Sequence, residues 1–220
     1  MNLHPWFHAG APAALLMALP AAHADILLDN LAQPTSATTI VDSSIWAAQS
    51  FVTAGDPVHL LSIEIPIGLS VGGPGIVAEL HADAGPLQVG ATLATFVLPV
   101  VSSGAPQIEL LPALSALPAT LDLAPNTTYW IVLEVVGAGS MGWSYSANNL
   151  ANGPGAFANY AYSFDSGASW LNWGEERPYL MRVNVSAVPE LGSAALFFAG
   201  LLAIGALCRR RNLGATMACS

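Results

Sequence analysis

Thr128-Tyr129-Trp130-Ile131-Val132-Leu133-Glu134-Val135-Val136 is the stretch that decides the fold. Seven of its nine side chains are apolar or aromatic, and β-branched residues recur along it. Such side chains lose little freedom on a pleated, buried surface and more in a helix. The run is too short for a helix with an apolar stripe. Asn126 before it and Gly137 after it are turn formers. It predicts the strongest strand of the chain.

The pattern repeats outward from there. Val58 to Ile67 alternates, with Leu61, Ile63, Ile65 and Ile67 expected on one face and Ser62, Glu64 and Pro66 on the other. Ile76 to His81 follows the Gly72-Gly73-Pro74-Gly75 turn, and Ala91 to Val101 is a further strand. Met141 to Tyr145, Tyr160 to Phe164 and Tyr179 to Val185 complete the set. In the last of these, Tyr179, Met181, Val183 and Val185 alternate with Leu180, Arg182 and Asn184. No part of the body keeps a helical period, and no repeat of 20 to 50 residues marks a propeller or solenoid. The expected fold is all-β: an antiparallel sandwich, jelly-roll-like, within residues 25–186.

The two ends read differently. Residues 1–24 resemble a signal peptide. An apolar run from Ala9 to Leu19 leads to Ala22-His23-Ala24, an A-x-A site that predicts cleavage before Asp25. At the other end, residues 191–208 are uncharged and rich in Leu, Ala, Gly and Phe. As a helix they would extend about 27 Å, near the thickness of a bilayer core. Arg209, Arg210 and Arg211 follow directly and hold the cytoplasmic side, leaving 213–220 as a short cytoplasmic tail.

Val188-Pro189-Glu190, an apolar span and an arginine cluster, in that order, resemble the PEP-CTERM sorting signal of Gram-negative bacteria. The resemblance covers 187–212. It implies processing by an exosortase-type membrane enzyme, and export through an inner-membrane-anchored precursor to the cell surface or matrix. The family has a second proline where Leu191 stands, and it ends near the arginines, whereas this chain continues from Asn212 to Ser220.

The body is similar to choice-of-anchor bacterial domains, of the R-like type. The similarity rests on Leu28-Asp29-Asn30-Leu31, Ala48-Gln49-Ser50-Phe51-Val52-Thr53, Leu121-x-Leu123-x-Pro125-Asn126-Thr127-Thr128-Tyr129-Trp130, Gly142-Trp143 and Ser163-x-Asp165-x-Gly167-x-Ser169-Trp170. It implies a domain that occurs with alternative surface anchors, PEP-CTERM among them, and carries no enzymatic activity with it.

Charge narrows the function. The chain has no lysine, and residues 25–188 carry thirteen acidic residues against Arg177 and Arg182. Such a surface repels phosphate backbones, so nucleic acid is excluded as a partner. Both cysteines, Cys208 and Cys219, lie in the tail, which leaves the body without disulfides or thiolate metal sites.

Ser163, Asp165, Gly167 and Trp170 match the Asp-box, a hairpin in which Asp caps the turn, Gly takes a positive φ and Trp packs beneath. The other use of Asp165 is a weak Ca²⁺ site, although calcium wants six or more oxygens. Gly137-x-Gly139-x-x-Gly142 matches a dinucleotide fingerprint only formally: a strand follows it and not a helix, so a hairpin loop is expected. His59 and His81 are expected as surface or satisfied core residues. No G-x-S-x-G elbow marks a nucleophile.

Glu64, Glu79 and Glu134 are the carboxylates with which a secreted hydrolase could form a pair. Among the aromatics, Trp143, Trp170 and Trp173 are candidates for stacking on sugar rings of a self-produced exopolysaccharide; core packing is their other use. The leading expectation is a non-enzymatic surface or matrix protein, with a carbohydrate-binding module and a secreted hydrolase as alternatives.

Overall fold

The computed structural model describes residues 24–71, 75–85, 88–97, 108–110, 121–174, 177–188 and 200–201. The expected signal peptide through His23, the motif residues Pro189 and Glu190, and Arg209 to Arg211 lie outside the described residues, as does all but 200–201 of the apolar span. Among the described residues no helix is long and apolar enough to cross a membrane.

The described body is all-β. Its strands are β1 (Asp25–Asp29), β2 (Thr35–Asp42), β3 (Trp46–Val52), β4 (Val58–Ile65), β5 (Ile67–Val71), β6 (Gly75–Asp83) and β7 (Val89–Val97). They continue with β8 (Ile108–Leu110), β9 (Leu121–Leu123), β10 (Thr128–Val136), β11 (Ser140–Ser146), β12 (Ala156–Ser163), β13 (Leu171–Asn172) and β14 (Arg182–Ala187). One sheet has six strands in the order β13-β12-β3-β10-β6-β7. A second runs β1-β14-β4-β8 with β9 also on β4, and a third runs β2-β11-β5. The pairings are antiparallel.

The deciding stretch forms β10, the full nine residues. It is central in the six-stranded sheet, between β3 and β6. Tyr129, Ile131, Leu133 and Val135 face the main core, together with Ile63, Val183 and Val185 of the second sheet and Val41, Met141 and Trp143 of the third. Trp130 and Val132 face the other way into a small cluster with Ala48 and Ala161, against which Trp46 and Trp170 pack. A strand buried on both faces reads as a continuous apolar run, and that is why it was legible.

Two expectations are corrected. Leu61 is exposed, not inward: the pairing of β14 with β4 shifts register between Asn184 and Val185, so Leu60 turns into the core and Leu61 outward. The loop at Gly137–Gly139 is no hairpin either. It carries the chain from β10 in the six-stranded sheet to β11 in the three-stranded one.

Buried amides lock the packing. Asn30 donates to Tyr179 O (3.1 Å) and accepts from Met181 N (2.7 Å). Gln49 donates to Asn159 O (3.0 Å) and accepts from Tyr179 N (2.8 Å). Both side chains are fully buried, so these bonds stand in for water that neither amide can reach.

Candidate functional site

The Asp-box forms the expected hairpin, joining β12 to β13 with Tyr162 opposite Leu171. Asp165 Oδ1 accepts from Ser163 Oγ (2.7 Å) and Ser169 N (2.8 Å), and Oδ2 accepts from Ser169 Oγ (2.6 Å). These bonds, led by the Ser169 hydroxyl, hold the carboxyl below its ordinary range. Gly167 has a φ of 85°, and a Cβ there would lie 2.4 Å from Trp46 Cζ3. Trp170 packs on the cluster beneath, as the motif requires. Both oxygens of Asp165 thus serve the turn. Among the described residues, no group of three or more His, Cys, Asp or Glu is arranged to hold a metal ion.

The hairpin delivers the chain to an aromatic end of the domain. Trp143 and Tyr179 stack there with centroids 4.2 Å apart, both fully buried. Trp143 Nε1 donates to Leu180 O at 3.0 Å. Tyr145, Tyr160 and Tyr162 meet the Tyr179 ring edge-on. The Tyr179 hydroxyl donates to Thr39 Oγ1 (2.7 Å), which also meets the Tyr162 hydroxyl (3.0 Å). Burial pushes the Tyr179 phenol above its ordinary range.

This placement corrects one candidate. Trp143 has no exposed face and cannot stack on a sugar; its inward position on β11 commits it to the core. Trp170 is half-buried against the outer cluster. Only Trp173 stands in solvent, 59% exposed. Beside it are two residues that the sequence reading did not single out, Phe164 (57%) and Leu171 (54%). The rings of Phe164 and Trp173 lie 6.3 and 6.1 Å from that of Tyr162. The signal for them was available, since Phe164 lies inside the Asp-box and Leu171 directly follows it.

The carboxylates part company. Glu64 lies in the second sheet, paired with Arg182 at 3.2 Å; Arg182 also holds Asp29 at 2.9 Å. Glu79 and Glu134 share the outer face of β6 and β10, diagonal to one another across the register Glu79↔Val132 and Glu134↔Val77. His81 stands with them, its Nε2 2.8 Å from Glu79 Oε2 and its Nδ1 2.8 Å from Gly90 O. Gly90 O can only accept, so His81 Nδ1 is the donor of that bond. Thr92 and Thr95 also donate to Glu79. Burial, and then the charge of Glu79, push the Glu134 carboxyl up. His59 pairs with Asp122, so both histidines of the body have partners. A separate open cleft of about 520 Å³ lies between Asp83, Leu93 and the turn Asn126–Tyr129. Asp83 is already engaged there, accepting from Trp130 Nε1 at 2.9 Å.

The two ends of the body meet. Asp25, the first residue of β1, pairs with Val185 near the end of β14. Ala24 is exposed beside it, and Val188 N reaches Pro57 O (3.4 Å) where the body closes. No family model matches this chain, and no curated protein matches it.

Proposed function

We propose that the chain is an exported surface or matrix protein, sorted by a PEP-CTERM-type tail and processed by an exosortase-type enzyme. Its body is a jelly-roll-like β domain of the choice-of-anchor type, without catalytic activity. One observation carries this reading. Among the described residues the strands begin with β1 at Asp25, directly after Ala22-His23-Ala24, and end with β14 at Ala187, directly before Val188-Pro189-Glu190. Both processing sequences therefore abut the fold without interrupting a strand. The jelly-roll route is supported by the chain's repeated passage between sheets, as from β3 to β4 and from β10 to β11.

The test is a deletion. Removing 191–220 should release the body into the medium, read by immunoblot of cells and supernatant. A body that stays on the cell would show that the tail is not its anchor. A second reading, a carbohydrate-binding domain, is favoured by the exposed ring surface at Phe164 and Trp173.

A further inference from the structure

The six-stranded sheet overhangs its cover. Thr39 of β2 meets Tyr162 of β12, so the three-stranded sheet lies opposite β12 at this end. Tyr160 and Tyr162 pack on the main core. Leu171 is paired with Tyr162 and therefore points to the same side of the sheet. Trp173 follows two residues later, its N–H bonded to Tyr160 O at 3.0 Å. This inner face runs on to β13, where Leu171 and Trp173 stand more than half exposed. With Phe164 they make a ledge whose inner wall is the Tyr162 ring.

The ledge is rigid. The Asp165 turn fixes one end through its bonds from Ser163 and Ser169. Two backbone bonds, Trp173 N to Tyr160 O and Tyr160 N to Gly174 O, fix the other. Ring surface held in place before binding loses little freedom when a ligand arrives. Three large apolar side chains on one hairpin also cost solvation for as long as nothing covers them.

Charge selects the occupant. The body carries thirteen acids against two arginines. A polyanion is repelled. The CH faces of a neutral pyranose pack on aromatic planes, and its hydroxyls stay in water.

Orientation agrees. Ala187 leads to the tail, and Asp25 is beside Val185, so leader and tail leave from one end. β14 runs six residues to Ala187, about 20 Å, and Tyr179 lies before its start. The Tyr162 ring is 6.3 Å from Tyr179, which sets the ledge at the end away from the tail.

From these observations we infer that Phe164, Leu171 and Trp173 form a binding ledge for a neutral polysaccharide, rigid in advance and facing away from the membrane. The inference rests on the carbohydrate-binding reading and, for its orientation alone, on the tail being the anchor.

The experiment uses the full chain in mild detergent, run through native gels containing dextran, a soluble mixed-linkage β-glucan, or alginate. Retardation is expected in at least one neutral gel and not in alginate. Trp173→Ala and Phe164→Ala should each weaken it about tenfold, while Leu150→Ala, exposed elsewhere, should leave it unchanged. Thermal unfolding of each variant separates lost binding from lost fold. No retardation in any gel, undiminished retardation of a folded Trp173→Ala protein, or preference for alginate would each overturn the proposal. The release assay is independent of these gels, so a failed anchor and a failed ledge give different results.

Discussion

Trp143 and Trp173 stand at the same end of the molecule and have opposite fates. Trp143 is wholly buried, stacked on Tyr179, with its N–H satisfied by Leu180 O. Trp173 meets Tyr162 edge-on and leaves more than half its surface in water. Both are tryptophans beside glycines in β-rich sequence. The difference lies in what is opposite each. Trp143 faces a sheet across the core, and Trp173 stands past the edge where that cover stops. An aromatic in this fold is therefore structural or available according to its distance from the edge.

The comparison breaks most easily at its buried member. Trp143→Ala should destabilise the fold by about 3–5 kcal/mol, the usual cost of emptying a large aromatic site. Urea unfolding of the purified chain would show it as a lower midpoint. A loss under 1 kcal/mol, by the same principle, would mean that the stack is not part of the core.

Asn30→Ala tests the pins behind the stack. It removes the partners of Tyr179 O and Met181 N, both in buried backbone. The expected cost is about 1–3 kcal/mol from groups left unsatisfied. Amide exchange should speed up at Met181, whose N–H loses its acceptor.

Gly167→Ala tests the hairpin that projects the ledge. It places a side chain at positive φ and against the Trp46 ring. A cost of about 1–3 kcal/mol follows from strain and crowding, with altered Trp fluorescence as the nearby rings shift. Trp173→Ala, by contrast, should change stability by no more than about 0.5 kcal/mol, as an exposed substitution does.

The smallest expected effect is in pH. Asp42, held down chiefly by the Ser44 N–H, and Asp165 have lowered carboxyl values. Each stabilises the fold above about pH 4 and loses that contribution as pH falls through its lowered folded value. Glu134 has the opposite sign. Its raised value means that the folded state holds the proton more tightly, so its contribution falls as pH rises through the interval above the ordinary Glu value. Glu134→Gln should raise the unfolding midpoint more at about pH 7 than at about pH 4. An equal shift at both would show that Glu134 is not strained when charged.

Strands with one unbroken pattern were legible in the sequence. β10 could be read because both its faces are covered. Of the stretch Tyr179 to Val185 only Arg182 to Val185 is strand, and Leu180, expected on the face opposite Tyr179 and Met181, is buried with them. The Asp-box was legible because its chemistry is local: each bond to Asp165 spans four residues or fewer. Leu61 was misread because a bulge depends on the partner strand's register, which β4 does not encode alone. Phe164 and Leu171 were overlooked because exposure depends on what stands opposite. Glu79 and Glu134 meet only through a pairing between residues more than fifty positions apart.

By itself the sequence determined the class of fold, the acidic surface and the Asp-box hairpin, because apolar period, charge count and turn chemistry act over a few residues. The tertiary structure decided which tryptophan is core and which is exposed, and that the first residue of β1 lies beside the end of β14. Those facts follow from which strands lie side by side and how far each sheet reaches, and only the folded chain sets either.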